Sequence, residues 1–330
     1  MHALVTGGGG FLGSGIVYAL LKDGYYVSVI GRGAYPHLPQ SVKLLKGDIR
    51  DFEFVNNSLK NIDVIFHTAA IPGIWGPAKE FYSINVQGTE NIIKACRKNR
   101  VPKIIFTSSP SVVFGQSSLE GVDESTPYPK TYLCEYSRTK ALAEKIIVNA
   151  NDSNLSTVAI RPHLIWGPGD PHLVPRILEK ARKNRLVKVG EGKNRVDIIY
   201  IDNAVSAHLK AGEALTPNGN VAGKTYFVSD GEPVILWDWI DQLLKRVGKP
   251  MISGKISYDN AMRLGGLMEM AYGVLRIKGE PPMTRFLASQ LAKSHYFNIS
   301  RAKKDFGYKP LVSPQEGMDR LINSLDHSID

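Results

Sequence analysis

Cysteine is scarce in this chain. Cys96 and Cys134 are the two among 330 residues, too few to read as a disulfide framework. Long apolar runs are missing as well, and no stretch reaches the roughly 18 residues of a membrane-spanning helix. The opening His2-Ala3-Leu4-Val5-Thr6 runs straight into glycines, without the basic and apolar regions of an export signal. These absences predict a cytoplasmic protein with two reduced thiols. No His/Cys spacing suggests zinc, so no metal site is expected. Repeats and low-complexity tracts are lacking, which excludes solenoids. Acidic residues are outnumbered, 31 against 41 basic, for a formal charge of +10. The basic residues are scattered, as at Arg176, Lys180, Arg182, Lys183 and Arg185, without interleaved aromatics. Nucleic acid is therefore set aside as a partner.

What is present is an ordinary globular composition, 43% apolar and 22% charged. The length suits one large domain or two unequal ones. Short β-rich runs alternate with amphipathic stretches. The runs are His2–Thr6, Tyr25–Ile30, Val42–Lys46, Val64–His67, Lys103–Thr107 and Ser156–Arg161. Between them lie Phe11–Lys22, Phe81–Lys98 and Glu135–Ala150. This alternation predicts an α/β fold, a doubly wound parallel sheet with helices on both faces. Ile104-Ile105-Phe106 is continuously apolar, as a strand buried on both faces requires.

After Arg161 the pattern loosens. Trp166-Gly167-Pro168-Gly169-Asp170-Pro171 is a turn cluster, followed by a helical stretch to about Asn184. Val196–Ile201 reads as a strand and Asp202–Ala214 as a helix with Asp202 as N-cap. From Ile256 onward the chain reads as mostly helical, broken at Pro281-Pro282. We assign residues 1–165 and 196–225 to the sheet domain, and 166–195 with 226–330 to a smaller, mostly helical substrate lobe. Met262–Leu275 reads as a core helix, the alternative being a membrane-surface or partner-binding helix.

Thr6-Gly7-Gly8-Gly9-Gly10-Phe11-Leu12-Gly13 joins the first strand to the first helix. It satisfies G-x-G-x-x-G and G-x-x-G-x-x-G. Glycines allow a tight turn and close backbone approach to a pyrophosphate, which the helix N-terminus attracts. In this first strand–helix–strand unit the loop predicts a Rossmann dinucleotide site. The second strand ends in Ile30-Gly31-Arg32-Gly33, without the carboxylate that would hold a ribose 2′-hydroxyl. Arg32 can meet a 2′-phosphate, so NADP(H) is expected over NAD(H). Asp48 follows the third strand and suits either an adenine amino group or loop chemistry.

Tyr136-Ser137-Arg138-Thr139-Lys140 puts a phenol and an ammonium at i and i+4, on one helix face. Tyr18…Lys22 has the same spacing and is read as accidental. Tyr136 has the better context, because a strand ends upstream in Phe106-Thr107-Ser108-Ser109. Ligands of open parallel sheets bind beyond such strand ends. A nearby ammonium favours the phenolate, so Tyr136 can exchange a proton with a substrate oxygen. Lys140 can hold ribose hydroxyls, and a serine can steady charge on that oxygen.

These residues resemble the extended short-chain dehydrogenase/reductase family, nearly over the whole chain. The motifs are Thr6-Gly7-x-x-Gly10-Phe11-x-Gly13, Asn85-Val86-x-Gly88-Thr89, Tyr136-x-x-x-Lys140 and Arg161-Pro162. Arg161-Pro162-x-x-Ile165-Trp166-Gly167-Pro168-Gly169-Asp170, Tyr200-Ile201-Asp202-Asn203-Ala204 and Phe306-Gly307-Tyr308-x-Pro310 resemble its 3β-hydroxysteroid dehydrogenase branch. The resemblance implies Ser109, Tyr136 and Lys140 as catalytic residues, with Ser108 and Ser111 as alternatives for the hydroxyl. It implies dinucleotide contacts from Gly7, Gly10, Phe11, Leu12, Gly13, Arg32, Asp48, Ile49, Thr68, Ala69 and Ala70. Asn85, Thr107, Lys140, Pro162, Leu164 and Ile165 complete that set. The usual V-Y-G after the serines is Val113-Phe114-Gly115 here.

Ala70-Ile71-Pro72-Gly73-Ile74-Trp75-Gly76 and Pro282-Met283-Thr284-Arg285-Phe286-Leu287 extend the likeness to bacterial keto-acid reductases of olefin biosynthesis. That implies NADPH reduction of a 2-alkyl-3-oxoalkanoate to the 2-alkyl-3-hydroxyalkanoate. Sterol 3-dehydrogenation and nucleotide-sugar epimerisation or dehydration are the competing readings. The expected partners are a lipid-like keto acid or sterol, a second copy in a homodimer, and other olefin-pathway enzymes. Peripheral membrane contact would run through 256–278. His67 is expected to pack near the cofactor. Trp75 and Trp166 fit either a pocket wall or the core.

Overall fold

The fold was established from a computed structural model, which describes residues 1–326. The first five strands are β1 (His2–Thr6), β2 (Tyr26–Gly31), β3 (Lys43–Lys46), β4 (Val64–His67) and β5 (Lys103–Thr107). β6 (Leu119–Val122) belongs to a smaller sheet, and β7 (Ser156–Pro162) returns to the main one. The main sheet is wholly parallel and seven-stranded, in the order Lys224–Val228, β7, β5, β4, β1, β2, β3. The strand order reverses at β1, which pairs with β2 on one side and β4 on the other. A crevice opens at such a switch point, beyond the carboxyl ends of the strands.

Alternation along the strands feeds two cores. Val5, Phe66, Ile105, Val158 and Ile160 face one side, against α1 (Phe11–Lys22) and the helix Ile201–Ala214. Leu4, Ile65, Ile104, Phe106 and Ala159 face the other, where α2 (Phe52–Ser58), α4 (Gly88–Asn99) and α5 (Glu135–Asn149) lie, with the short α3 (Ala78–Phe81) ahead of α4. Each fully buried Val, Leu or Ile contributes about 1.5–3 kcal/mol of transfer free energy. This two-sided burial is why these strands read as unbroken apolar runs.

Several sequence expectations change in the structure. The stretch read as one helix, Phe81–Lys98, is α3, a π-helical turn over Tyr82–Gln87, and α4. Val196–Ile201 is not one strand: Arg195–Val196 and Ile199–Tyr200 pair in different sheets. The N-cap of the following helix is Tyr200, with Asp202 inside its first turn. The strand Lys224–Val228 straddles the boundary expected at 225, so the sheet segment continues to 228. The second lobe carries a four-stranded mixed sheet of β6, Arg195–Val196, Val234–Ile235 and His295–Phe297, besides its helices.

Met262–Leu275 is not a core helix. The helix Tyr258–Val274 buries Ala261 and Gly265 and packs on the helix Arg285–Ala292. Leu267, Met270, Val274 and Leu275 are 60–75% exposed. Among the described residues, no helix is long and apolar enough to cross a membrane. Trp166 is fully buried, in edge-to-face contact with Tyr200 and Trp239, so it belongs to the core.

Candidate active site

The glycine loop folds tightly because its residues leave no room for side chains. Gly7 donates its N–H to Ile30 O, and its own carbonyl accepts from Gly10 N at 2.9 Å. Gly7 has φ +71°, and a Cβ there would meet the Ala69 backbone at 2.9 Å. A Cβ on Gly13 would stand 2.2 Å from the Gly7 oxygen. The α1 N-cap is Gly10, which offers no side-chain acceptor, so the first-turn N–H groups await an external partner. This uncapped end, in a cradle that a Cβ would fill, fits a dinucleotide pyrophosphate.

A hydrogen-bond chain fixes the neighbouring strand ends. Thr89 Oγ1 donates to Asn85 O and therefore accepts from His67 Nε2. His67 Nδ1 then accepts from Thr6 Oγ1, which itself accepts from Ala69 N. His67 is fully buried, and burial pushes its imidazole down to about 3, so it stays neutral and structural. Asn85, in the π-helical turn, accepts from Ile71 N and donates to Thr139 Oγ1. It is 2% exposed and stands behind the cleft wall rather than on it. It positions the Ala70–Ile71 backbone and α5, as a supporting polar residue would, and does not itself line the cleft.

One cleft of about 730 Å³ runs across the strand ends. Gly7, Gly10, Phe11, Leu12 and Gly13 line it at the loop, and Thr68, Ala69 and Ala70 at the end of β4. Arg32, Asp48 and Ile49 line it beyond β2 and β3, Pro162 at the end of β7, and Leu164 and Ile165 just after it. Ser109, Thr107, Tyr136 and Lys140 stand on the same wall. Asp48 is held by Arg50 at 2.6 and 3.0 Å, and this keeps its carboxyl below the usual range. The Tyr35 ring lies on Gly9 and Gly31, where any Cβ would strike it, and closes this end of the cleft.

At the other end α5 presents Tyr136 and Lys140 one turn apart. Lys140 is 3% exposed; its Nζ donates to Thr107 O at 2.5 Å and sits 4.1 Å over the Phe106 ring. Burial pulls the ammonium down to about 7. The Tyr136 phenol is pushed up to about 12, chiefly by burial, with the Ser109 hydroxyl partly offsetting it and Cys134 adding to it. Lys140 was expected to acidify the phenol, yet burial is the dominant influence on it in this structure. Ser109 also N-caps the turn Pro110–Val112 by accepting from Ser111 N. The Ser108 and Ser111 hydroxyls are sealed without a partner, so Ser109 is the serine that faces Tyr136.

Sequence reasoning passed over His163, His172, Arg176, Phe286 and Gln290, all of which line the cleft. His163 lay inside a motif already singled out, Arg161-Pro162-x-x-Ile165. Phe286 lay in the Pro282–Leu287 segment without a role attached, and Gln290, on the same distant helix, carries no local signal. Arg161 does not reach the cleft; it forms a buried pair with Glu144 at 2.6 and 2.8 Å. Among the described residues no group of three or more His, Cys, Asp or Glu stands together as a metal site.

Comparison with known proteins places this geometry. Residues 4–256 match the model of the 3-beta hydroxysteroid dehydrogenase/isomerase family. The chain belongs to that family. It is an oxidoreductase of the extended short-chain dehydrogenase/reductase type. It is 44% identical over 324 residues to the 2-alkyl-3-oxoalkanoate reductase of Stenotrophomonas maltophilia, covering 97% of this chain and 98% of that one. It is 34% identical to the mouse sterol-4-alpha-carboxylate 3-dehydrogenase, decarboxylating, covering 98% and 90%. Its fold matches the crystal structure of Bacillus cereus UDP-glucuronic acid 4-epimerase in complex with NAD, with a TM-score of 0.76 at 23% identity over the full length of both chains.

Proposed function

We propose that this enzyme reduces the 3-keto group of a 2-alkyl-3-oxoalkanoate to a hydroxyl, with NADPH as reductant. The observation that carries the reading is the shared wall of Tyr136, Ser109 and Lys140, continuous with the glycine cradle. When bound, the nicotinamide supplies the hydride. The protein's part is to protonate and hold the oxygen. A phenol near 12 stays protonated at neutral pH, which suits Tyr136 as the general acid of a reduction. Ser109 faces the same hydroxyl and donates to the carbonyl oxygen as charge develops there. Lys140, which lines the same cleft, would hold the ribose hydroxyls of the cofactor. Residues 1–165 and 196–228 bind the dinucleotide, apart from Leu119–Val122 and Val196, which join the sheet of the remaining, substrate-binding lobe.

The 44% relative supports the keto acid as substrate, and the mouse relative makes a sterol 3-ketone the competing class. NADPH oxidation should be followed with 2-alkyl-3-keto acids, sterol ketones and UDP-sugars in parallel. Turnover with the keto acids supports the proposal, and turnover confined to either other class overturns it. Arg32, at the β2 end, is the basis for NADP(H) preference, and Arg32→Asp is expected to raise the NADPH KM at least tenfold while sparing NADH. Unchanged constants for both would refute that role.

We also propose that the exposed stripe of Leu264, Leu267, Met270, Val274 and Leu275 rests on an anionic membrane surface. Among the described residues Arg263, Arg276 and Lys278 flank it without an ion pair, whereas Glu269 and Glu280 are taken up by Arg285 and Arg176. Each such cation adds about 1 kcal/mol near anionic lipid. Co-sedimentation with phosphatidylserine vesicles should exceed that with phosphatidylcholine and fall in Leu267→Glu/Met270→Glu. Homodimers or assembly with pathway enzymes through this face, without vesicle binding, would overturn the membrane reading.

A further inference from the structure

A second histidine system meets the same cleft. His163 follows β7, and its Nε2 lies 2.6 Å from Nδ1 of His295. His295 Nε2 lies 2.9 Å from the carbonyl oxygen of Gln290. That oxygen can only accept, so His295 Nε2 carries a proton. Neutral His295 then accepts at Nδ1, and His163 Nε2 must be the donor. By the same count His163 Nδ1 is a bare lone pair. It has no protein partner among the described residues and is not among the sealed, unpartnered polar atoms. It therefore opens on the cleft that its ring lines.

The surroundings hold this arrangement in place. Phe114 meets His295 edge-to-face at 5.6 Å, and Phe297 meets His163 at 5.5 Å. Burial and the mutual proximity of the rings drive His163 far below the ordinary imidazole value, and burial brings His295 to about 4. Both rings are neutral at working pH. Leu164 adopts φ +46°, a left-handed conformation unusual for leucine, and it fixes the backbone beside His163.

A neutral acceptor has to meet a donor, and the reactants bring few. A 3-keto acid at neutral pH offers a ketone and a carboxylate, both acceptors. The ribose hydroxyls fall to Lys140. The remaining donor at the reacting end is the carboxamide –NH2 of the nicotinamide. We propose that His163 is a cofactor-orienting residue, its Nδ1 accepting the carboxamide N–H and its tautomer set by the His295–Gln290 chain. This rests on the dinucleotide reading above.

The test is equilibrium binding of NADP+ and of its 3-acetylpyridine analogue, in which methyl replaces the –NH2. The wild-type protein should prefer NADP+ roughly tenfold, the worth of one buried hydrogen bond. His163→Phe should bind the two alike. Imidazole-15N-labelled wild-type protein gives a measurement that needs no variant: the Nδ1 resonance of His163 should be unprotonated, and should shift with NADP+ but not with the analogue. Preference retained in His163→Phe, or an Nδ1 that is protonated or unmoved, overturns the proposal. Wild-type protein that binds neither compound overturns the dinucleotide reading and this one together, so the two failures are distinguishable.

Discussion

Gly13→Ala isolates the packing that makes the glycine loop a phosphate cradle. The added methyl would stand 2.2 Å from the Gly7 oxygen and 2.9 Å from Gly8 Cα. Both are backbone atoms, so no flexible side chain can swing aside. The Gly7 oxygen also accepts Gly10 N–H, and pushing it outward opens the turn. Overpacking of this kind costs about 1–3 kcal/mol. Alanine's helical advantage over glycine returns up to ~1 kcal/mol, so with the full return a net loss of up to about 2 kcal/mol is expected. Urea unfolding reads that loss. Fluorescence titration with NADPH should show a dissociation constant raised at least tenfold, or about 1.4 kcal/mol. Gly266→Ala is the matched control: it is also helical, and its Cβ would meet Arg285 Cδ at an ordinary 3.8 Å. That variant should gain up to ~1 kcal/mol and leave binding untouched. If Gly13→Ala matches the wild type in both assays, close backbone approach is not what the glycine provides.

Two further outcomes follow from buried charge. Glu144→Gln strands the Arg161 guanidinium, which is 2% exposed, and should cost about 3–5 kcal/mol in denaturant titration; a loss under ~1 kcal/mol would contradict the pairing. Asp197 accepts Phe297 N at 2.9 Å, and burial pushes its carboxyl up to about 7. The folded state therefore holds a proton that the unfolded chain releases near pH 4, so this group's stabilisation is present at low pH and is lost as pH rises toward 7. Asp197→Asn should remove that decline from the pH–stability profile, and an unchanged profile would show that Asp197 is ionised in the fold.

The sheet was legible because burial on both faces writes itself as continuous apolar runs, and the loop because glycine is required where Gly13 meets Gly7. Tyr136 and Lys140 were legible from helical spacing combined with a strand end. Their protonation was not, because desolvation depends on the whole surround and spacing reports proximity alone. The Phe81–Lys98 pattern hid a π-helical turn, since one extra backbone residue barely disturbs an apolar stripe. Asn85 sat in a recognised motif, yet its role one layer back depends on Thr139, 54 positions away. The helix Tyr258–Val274 was misread as core because an apolar stripe looks the same whether it faces protein or solvent. His163 needed His295, 132 residues distant, before it meant anything.

The most direct measurement is the turnover of Tyr136→Phe, which keeps the ring and its packing and removes one hydroxyl. NADPH oxidation with a 2-alkyl-3-keto acid should fall at least about a hundredfold, the usual worth of a positioned general acid, while NADPH binds as before. Wild-type turnover in that variant would contradict the assignment of the phenol as the proton donor.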